Sequence, residues 1–516
     1  MIGALNRSLI GAAILVAVTV APTLGQSLAD RIDRIMERPE FRHAHFGISV
    51  YSVDGGRMIY ELNGEKLFTP ASTTKLLTSG ALLHLLGPDY RFRTPIYRTG
   101  PIIEGVLDGD LLVVASGDPN LSNRIQSDGT LSFNDNDHAY GGPPVSGDPL
   151  VVIRRLADQI AAAGIRRVLG RVLVDATLFE EGDRELGSGI VLSPMAVNDN
   201  IIDLTVYPGA ELGAPVRVGR APLTAYLQLV NHATTGARDT ETSLQFTSDD
   251  VMPDGSRRVV LSGTVPLGAD STPLPYAVPV PSRFAEFVLT EALEADGVTL
   301  EHHSPVDVDF DVLSAYHRQS YRVVEHVSPP LTEEVKVILK VSQNMHASAA
   351  PLYLPALLGN TDGDRTGFDE IHDFLESAGL DLGGARQADG AGGDAHFSPN
   401  FMVSYLRYVA ERPYFDAFRN ALPILGRDGT LADILPDSPA AGRVYAKTGT
   451  FVVPDPLNRA WLLTAKGLAG YIDARSGQRL VFAAYVNNVP LADLDLITPV
   501  VGQALGEIAA AVYEAN

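Results

Sequence analysis

The chain has 516 residues, of which 45% are hydrophobic and 20% are charged. This composition is typical of a globular protein with two or three domains and excludes a disordered or fibrous chain. Lysine and arginine together number 40 against 62 aspartates and glutamates, which gives a net charge of −22. Because such a surface repels phosphate backbones, we expect no nucleic-acid partner.

The first residues are typical of a cleavable signal peptide. Arg7 supplies a positive charge, residues 9–21 form an apolar stretch, and Thr23-Leu24-Gly25 offers small residues for cleavage. The apolar stretch is shorter than the ~20 residues that a membrane helix needs, so an uncleaved anchor is the weaker alternative. The chain also has no cysteine, which excludes disulfides and thiolate metal sites. We therefore expect residues 1–25 to be removed on export to a bacterial periplasm, with no stable membrane anchor afterwards.

The secondary-structure pattern divides the chain. Alternating residues predict strands at 46–52 and 57–63, joined by a turn, and a helix apolar on nearly all sides begins at Ser72. Residues 202–276 show alternating strands and turns with little helical periodicity, which predicts an inserted β-rich module. Helical patterns return after residue 281, and the chain ends with strands near 469–474 and 479–488 and a last helix.

Ser72 and Lys75 stand three positions apart at the head of the apolar helix, so both side chains point to one face. A lysine acts as a base only when its amine is neutral, and burial of the helix favours that form. With six lysines in the chain, Ser-x-x-Lys is expected by chance about 0.4 times. The pair predicts a serine nucleophile with its base, and a capped core helix is the alternative at this point.

A second motif, Lys447-Thr448-Gly449, is expected by chance only about 0.03 times. Its surroundings read as a strand, on which Thr448 can bind a carboxylate and Gly449 can let a substrate backbone approach closely. A polar edge strand without a substrate is the alternative interpretation.

A third motif, Ser-x-Asn, is formed by Ser342 and Asn344, and it is weak by itself. Ser398 and Asn400 form a rival triplet in the same chain. Order and context favour Ser342, because it follows an apolar helical stretch and lies between the other two motifs. A loop-capping role is the alternative.

The three motifs occur in the order that is the signature of β-lactamases and penicillin-binding proteins. Beyond them, the chain resembles the D-alanyl-D-alanine carboxypeptidase/endopeptidase family of class C low-molecular-mass penicillin-binding proteins. The resemblance covers nearly the whole mature chain and includes the long gap between Ser72 and Ser342. It rests on the stretches ASTTKLLTSGALLHLLGPDYRF, VVASGDPNLS, MAVNDN, LPILGRDGTL and KGLAGYID.

The resemblance implies an α/β fold: a penicillin-recognising, serine transpeptidase-like (β-lactamase-like) domain with two smaller inserted domains, one of them β-rich. The penicillin-binding domain would comprise residues 26–93 and 325–516. The first insertion would comprise 94–201 and 277–324, and the β-rich module 202–276.

The resemblance also implies roles for individual residues. Ser72 would be the acylated nucleophile and Lys75 its base, with the proton relayed by Ser342 and Lys447. Asn344 would bind an amide of the substrate, and Thr448 would bind its carboxylate. The strand at Gly449 and Thr450 would also contact the substrate. Asp175 would bind an amino group of the peptide side chain. The N–H groups of Ser72 and Thr450 would form the oxyanion hole.

Two departures from the family pattern concern the substrate. Ala395 stands where the family has an arginine that would bind a side-chain carboxylate, and an extra segment, 451–466, follows the third motif. The extra segment carries two cations, Arg459 and Lys466, that could replace the missing arginine. We expect Arg459 to do so, because its forked guanidinium matches a carboxylate. The alternative is that the preference for that side-chain carboxylate is weak in this protein.

These observations predict a periplasmic serine DD-peptidase that cleaves terminal D-Ala or D-Ala cross-links in peptidoglycan stem peptides. β-Lactam antibiotics would then be covalent inhibitors. We expect no cofactor and no metal site, since the histidines lack the spacing of metal ligands. The alternatives are a β-lactamase or esterase on the same fold and a catalytically silent peptidoglycan-binding scaffold. The sequence is compatible with a homodimer.

Overall fold

A computed structural model describes residues 27–133, 137–303, 306–360 and 363–516. The predicted signal peptide, 1–25, lies outside the described residues. The α-helices are α1 (Leu28–Met36), α2 (Lys75–Leu85), α3 (Val151–Ala162), α4 (Pro281–Ala295), α5 (Phe310–Leu313), α6 (Leu331–Lys336), α7 (Asn344–Leu357), α8 (Gly367–Ser377), α9 (Pro399–Ala410), α10 (Phe415–Asn420) and α11 (Gln503–Ala515).

The strands are β1 (His45–Ser52), β2 (Arg57–Leu62), β3 (Arg93–Arg98), β4 (Ile102–Ile103), β5 (Val106–Leu107), β6 (Leu111–Val114), β7 (Arg167–Val168), β8 (Val172–Asp175), β9 (Ile201–Tyr207), β10 (Arg217–Ala221), β11 (Leu227–Asn231), β12 (Thr234–Gly236), β13 (Gln245–Val251), β14 (Arg257–Ser262), β15 (Thr264–Pro266), β16 (Thr272–Ala277), β17 (Thr299–Leu300), β18 (Arg322–Val327), β19 (Ala385–Gln387), β20 (Ala395–Phe397), β21 (Val444–Asp455), β22 (Ala460–Asp473), β23 (Arg479–Asn487) and β24 (Val489–Leu491).

The main sheet joins the two ends of the chain. Its strand order is β2-β1-β23-β22-β21, with β24 paired to β22. The hairpin predicted before the serine is confirmed as β1 and β2. Along β23, Val481 and Ala483 belong to the core that contains α2, α7 and α9, whereas Phe482 and Ala484 belong to the core that contains α1 and α11. This alternation shows that the sheet is buried on both faces between two helical layers.

The apolar helix predicted to begin at Ser72 is confirmed as α2, although α2 begins one turn later, at Lys75. A 3-10 turn, Ala71–Thr74, precedes α2. Leu76, Leu77 and Leu82 of α2 are at most 1% exposed, and the helix contacts α6, α7, α8 and α10. A helix that is apolar on all sides is stable only when it is surrounded in this way.

The middle of the chain forms separate sheets. One four-stranded sheet has the order β18-β3-β6-β8, and another has the order β17-β7-β5-β4. Strands β9 to β16 pair only among themselves, in smaller sheets, as expected for a β-rich module. The division of the chain into three domains stays a prediction. The boundary expected between residues 324 and 325 falls inside β18, which pairs with β3 and therefore lies with the inserted sheet.

One described segment, Leu494–Ala515, is long and apolar enough to cross a membrane by length and composition alone. Half of its most apolar window is buried, and α11 packs against α1 and β22. Core helices of soluble proteins have the same length and composition, so the segment is weak support for a membrane span.

The packing of α2 against α9 generates a stability prediction. A Cβ added at Gly80 would lie 1.8 Å from the hydroxyl oxygen of Tyr405, which donates to the Leu76 carbonyl at 3.0 Å. Gly80→Ala should therefore destabilise the protein by ~1–3 kcal/mol through overpacking, although alanine has the higher helix propensity. The double variant Gly80→Ala/Tyr405→Phe should recover part of the loss in Tm, with Tyr405→Phe alone as the control. Equal Tm values for Gly80→Ala and the wild type would contradict this packing.

Candidate active site

Ser72 lies in a turn that is held on two sides. The preceding residue, Ala71, has a left-handed φ of 45°, which costs a non-glycine residue roughly 1–2 kcal/mol. A Cβ on Gly449 would lie 2.3 Å from the Pro70 carbonyl oxygen, and one on Gly392 would lie 2.1 Å from that of Ala71. The structure thus gives Gly449 a role other than the expected one: the missing side chain lets β21 approach the nucleophile turn.

The three motifs meet in one chain of polar atoms. Lys75 Nζ lies 2.7 Å from Ser72 Oγ and 3.4 Å from Ser342 Oγ. On the other side, Lys447 Nζ lies 2.8 Å from Ser342 Oγ. Lys75 also donates to the side-chain oxygen of Asn344. A proton can therefore pass from Ser72 through Lys75 to Ser342 without a large movement of any side chain.

Burial sets the electrostatics of Lys75. Its side chain is inaccessible to solvent, and desolvation lowers its pKa from 10.5 to about 8. The negative charges of Asp137, Asp389 and Glu185 oppose this change, because they stabilise the ammonium form. The neutral form of the Lys75 amine is therefore accessible near neutral pH, as its expected role as a base requires.

The pKa of Lys447, the lysine of the second motif, is lowered more strongly than that of Lys75. Burial lowers the pKa of Lys447 well below its ordinary value, and the positive charges of Lys75 and Lys466 lower it further. Lys447 Nζ also donates to the carbonyl oxygen of Thr448 at 2.8 Å. The site thus gathers three of the six lysines of the chain.

A groove with a cavity volume of about 430 Å³ opens beside these groups. Strand β21 is the last strand of the main sheet, and its residues 444–446 are hydrogen-bonded to residues 423–425. The part of this edge that lines the groove lies at Thr448 and Thr450, where an extended peptide could pair with the strand. The groove brings together most of the predicted site residues, and its lining includes Ser72, Ser342, Asn344, Thr448 and Thr450. The oxyanion hole expected from the N–H groups of Ser72 and Thr450 stays a prediction.

Asp175 is not brought to the groove. Its carboxylate is buried, accepts hydrogen bonds from the N–H and hydroxyl of Thr177, and lies 3.6 Å from His317. Because this carboxylate closes its own turn inside the inserted sheet, the structure does not support the expected contact with an amino group of the substrate.

The rival Ser-x-Asn triplet has a structural role. Ser398 is 1% exposed and accepts a hydrogen bond from the Phe401 N–H, which caps α9. Asn400 donates to Glu65 at 2.6 Å and accepts from the Ser49 hydroxyl at 2.5 Å. Neither residue lines the groove, so the structure favours Ser342 over Ser398, as expected.

The structure does not support the preference for Arg459 as the replacement cation. The extra segment lengthens the hairpin of β21 and β22, and Arg459 lies exposed in its turn, outside the groove. Lys466 instead pairs with Thr450 in the antiparallel register and lines the groove. Ala395 is 1% exposed and belongs to the core, so its side chain takes no part in the site.

Two groove residues were missed by the sequence analysis because they belong to no motif. The hydroxyl of Tyr140 accepts a hydrogen bond from Asn344 Nδ2 at 2.5 Å and donates to Glu185 at 3.0 Å. The carboxylate of Asp137 accepts from the backbone N–H of Asn344 at 3.3 Å. Both residues come from the region inserted after α2, and they fix the position of Asn344.

Behind them lies a buried ionic network centred on Asp199. Burial opposes its charge, but Arg124 and His346 hold the pKa of Asp199 well below its ordinary value. Although burial lowers their pKa values, neighbouring carboxylates raise that of His138 to about 10 and that of His346 to about 9. The stretch MAVNDN, which includes Asp199, is the signal that could have pointed to this network.

The chain matches known proteins over most of its length. The profile of the D-Ala-D-Ala carboxypeptidase 3 (S13) family matches residues 28–504. A D-alanyl-D-alanine carboxypeptidase of Actinomadura sp. (strain R39) is 27% identical over 502 residues, which are 91% of this chain and 83% of that protein. The D-alanyl-D-alanine carboxypeptidase DacB of Haemophilus influenzae is 24% identical, over 88% of this chain and 87% of that protein.

Solved structures confirm the expected fold. The crystal structure of penicillin-binding protein 4 from Haemophilus influenzae superposes with a TM-score of 0.68 and 20% identity, covering 93% of this chain and 98% of that one. The same protein in complex with a β-lactam gives a TM-score of 0.70, covering 94% and 99%. Since the family profile spans nearly all of the described residues, the chain belongs to the D-Ala-D-Ala carboxypeptidase 3 (S13) family, whose members are serine peptidases.

Proposed function

We propose that the chain is a serine DD-peptidase that acts on the D-Ala-D-Ala termini, or the D-Ala cross-links, of peptidoglycan stem peptides. The observation that carries this proposal is the chain of contacts that joins Ser72 and Ser342, which line the groove, to the buried amines of Lys75 and Lys447. The curated relatives named above are D-alanyl-D-alanine carboxypeptidases, which supports the same substrate class.

Acylation follows from the geometry of these four residues. Neutral Lys75 takes the hydroxyl proton of Ser72 as Oγ attacks the carbonyl carbon of the penultimate D-Ala. The tetrahedral intermediate collapses, the peptide bond breaks, and the departing nitrogen receives a proton from Ser342. Ser342 is reprotonated from Lys75, and Lys447 stabilises the developing charge on its oxygen. Water then hydrolyses the acyl-enzyme, which releases the shortened peptide and restores Ser72.

The part of the β21 edge that lines the groove, at Thr448 and Thr450, accounts for the recognition of a peptide. An extended acyl donor can add to this edge as a further strand, because its backbone groups then pair with those of β21. Asn344, held by Asp137 and Tyr140, faces the same groove and can bind the substrate amide. The structurally similar penicillin-binding protein 4 has been crystallised with a β-lactam, which supports the use of penicillins as covalent probes of this groove.

The cellular location follows from the proposed DD-peptidase activity. A substrate in the cell wall requires export, which agrees with the signal sequence expected at residues 1–25. We propose a periplasmic location for the mature chain. Peptidoglycan stem peptides would be its substrates, without a stable membrane anchor and without a cofactor.

The first functional prediction concerns the nucleophile. A fluorescent penicillin should label the purified mature chain on the peptide that contains Ser72, as mapped by mass spectrometry. Ser72→Ala should abolish labelling and lower the rate of D-Ala release by ~10⁴-fold or more. Its Tm should stay close to that of the wild type, because the change removes only one hydroxyl. Ser398→Ala, which alters the rival triplet, is the matched control and should still be labelled.

Labelling that persists in Ser72→Ala would overturn the assignment of the nucleophile. Labelling followed by rapid release of the hydrolysed penicillin would instead indicate a β-lactamase on this fold. Absence of labelling in the wild type would favour the silent scaffold.

The second functional prediction concerns pH. Only the neutral amine of Lys75 accepts a proton, and its pKa is lowered to about 8. The acylation rate should therefore rise about tenfold per pH unit below pH 8 and level off above it. Lys75→Arg should slow acylation by ~10²- to 10⁴-fold, since arginine does not deprotonate in a protein.

Stopped-flow acylation by penicillin between pH 5.5 and pH 9.5 measures both effects. Lys336→Arg, which alters a partly exposed lysine outside the groove, is the control and should keep the wild-type profile. A flat profile, or wild-type rates in Lys75→Arg, would exclude Lys75 as the base.

A further inference from the structure

Lys466 is the lysine that lines the groove, and the proposed acylation steps do not use it. It lies on β22, opposite Thr450 in the antiparallel register, and its side chain is 8% exposed. Its ammonium donates to Thr450 Oγ1 at 2.7 Å. Among the described residues, no carboxylate lies within ion-pair distance of this ammonium, although Asp433 lines the same groove.

This arrangement leaves a charge without a counterion. Burial lowers the pKa of Lys466 to about 8, so the ammonium form still predominates at pH 7. A buried cation that has only a hydroxyl as acceptor lacks most of the compensation that a carboxylate would give. Since the ammonium lies at the wall of a substrate groove, an anionic group of the substrate is the partner that the site lacks.

The position of Lys466 decides which substrate anion can reach it. Thr450 is the residue whose N–H is expected to bind the scissile carbonyl oxygen, and its own hydroxyl holds Lys466. The ammonium therefore lies beside the residue that is expected to hold the scissile carbonyl group. In a D-Ala-D-Ala peptide, only the amide nitrogen and one carbon separate the terminal carboxylate from the scissile carbonyl. A side-chain carboxylate of the third stem residue is much farther away, on the acyl side.

We propose that Lys466 determines specificity for the free carboxylate of the leaving residue. This inference rests on the proposed DD-peptidase function and deepens it. On binding, the ammonium of Lys466 moves from Thr450 Oγ1 to the carboxylate, or bridges the two. Thr448, on the same face of β21, provides a neutral hydrogen-bond donor to the same anion. Lys466 thus serves the leaving side of the scissile bond, not the side-chain carboxylate for which the missing arginine of the family is expected.

The experiment compares two peptides that are identical except at the C-terminus, where one has a free D-Ala carboxylate and the other a carboxamide. The values of kcat/KM are measured for the wild type, Lys466→Met, Lys466→Gln and Lys466→Arg. Met removes the charge at nearly constant size, Gln keeps a hydrogen-bond donor, and Arg keeps the charge. Arg459→Gln removes one cation from the tip of the same hairpin and is the matched control.

The wild type should prefer the free acid. Lys466→Met and Lys466→Gln should each lower the ratio of kcat/KM for the free acid to kcat/KM for the carboxamide by ~10- to 100-fold. Lys466→Arg should retain most of the preference, and Arg459→Gln should retain all of it. Tm values show whether each variant is folded, and the two neutral variants make the result independent of the folding of either one.

An unchanged ratio of the two substrates in both neutral variants would overturn the inference. An equal loss on both substrates would overturn it as well, because Lys466 would then act on the chemistry and not on the carboxylate. If the wild type is labelled by penicillin but cleaves neither peptide, the proposed function fails and the inference fails with it. Failure of the inference alone leaves an enzyme that still cleaves the peptides, whereas failure of the proposed function leaves no cleavage.

Discussion

The burial of the Lys75 amine is the constraint on which the rest of the site depends. An apolar helix enclosed on all sides lowers the pKa of Lys75, while Asp137, Glu185 and Asp389 limit that change. With burial alone the amine would be neutral but a weak base, and with the carboxylates alone it would stay protonated. Asp137 and Glu185 come from the inserted region, so the reactivity of the nucleophile depends on a part of the chain that carries none of the three motifs.

Much of the fold, and the meeting of the three motifs at one place, could be predicted from the sequence, because they depend on local rules. Alternating residues define the β1–β2 hairpin, and the spacing of Ser72 and Lys75 fixes a shared helical face. The glycines were harder to interpret. Gly449 could be recognised as a point of close approach, but only the packed structure shows that the approaching group is the turn before Ser72.

The remaining features depend on pairing across long distances. The sequence could not show whether Arg459 or Lys466 reaches the groove, because that depends on the length of the β21–β22 hairpin. The hairpin register places Lys466 opposite Thr450. The Asp199 network likewise joins residues far apart in the chain. It holds three consecutive residues, Asn198 to Asn200, at positive φ, a strained conformation for most non-glycine residues that asparagine and aspartate adopt more readily. Such strain persists only where surrounding bonds determine it.

The wall of the groove holds a cation in an otherwise acidic protein. The chain carries a net charge of −22, yet Lys466 lines the groove and its ammonium form predominates at pH 7. An anionic peptide is therefore repelled by the protein at long range and attracted by Lys466 only after it has entered the groove. Long-range interactions between exposed charges are screened by salt, whereas those inside a cleft are screened much less. Moderate ionic strength should thus speed the encounter with an anionic substrate, in contrast to enzymes whose whole surface attracts their ligand.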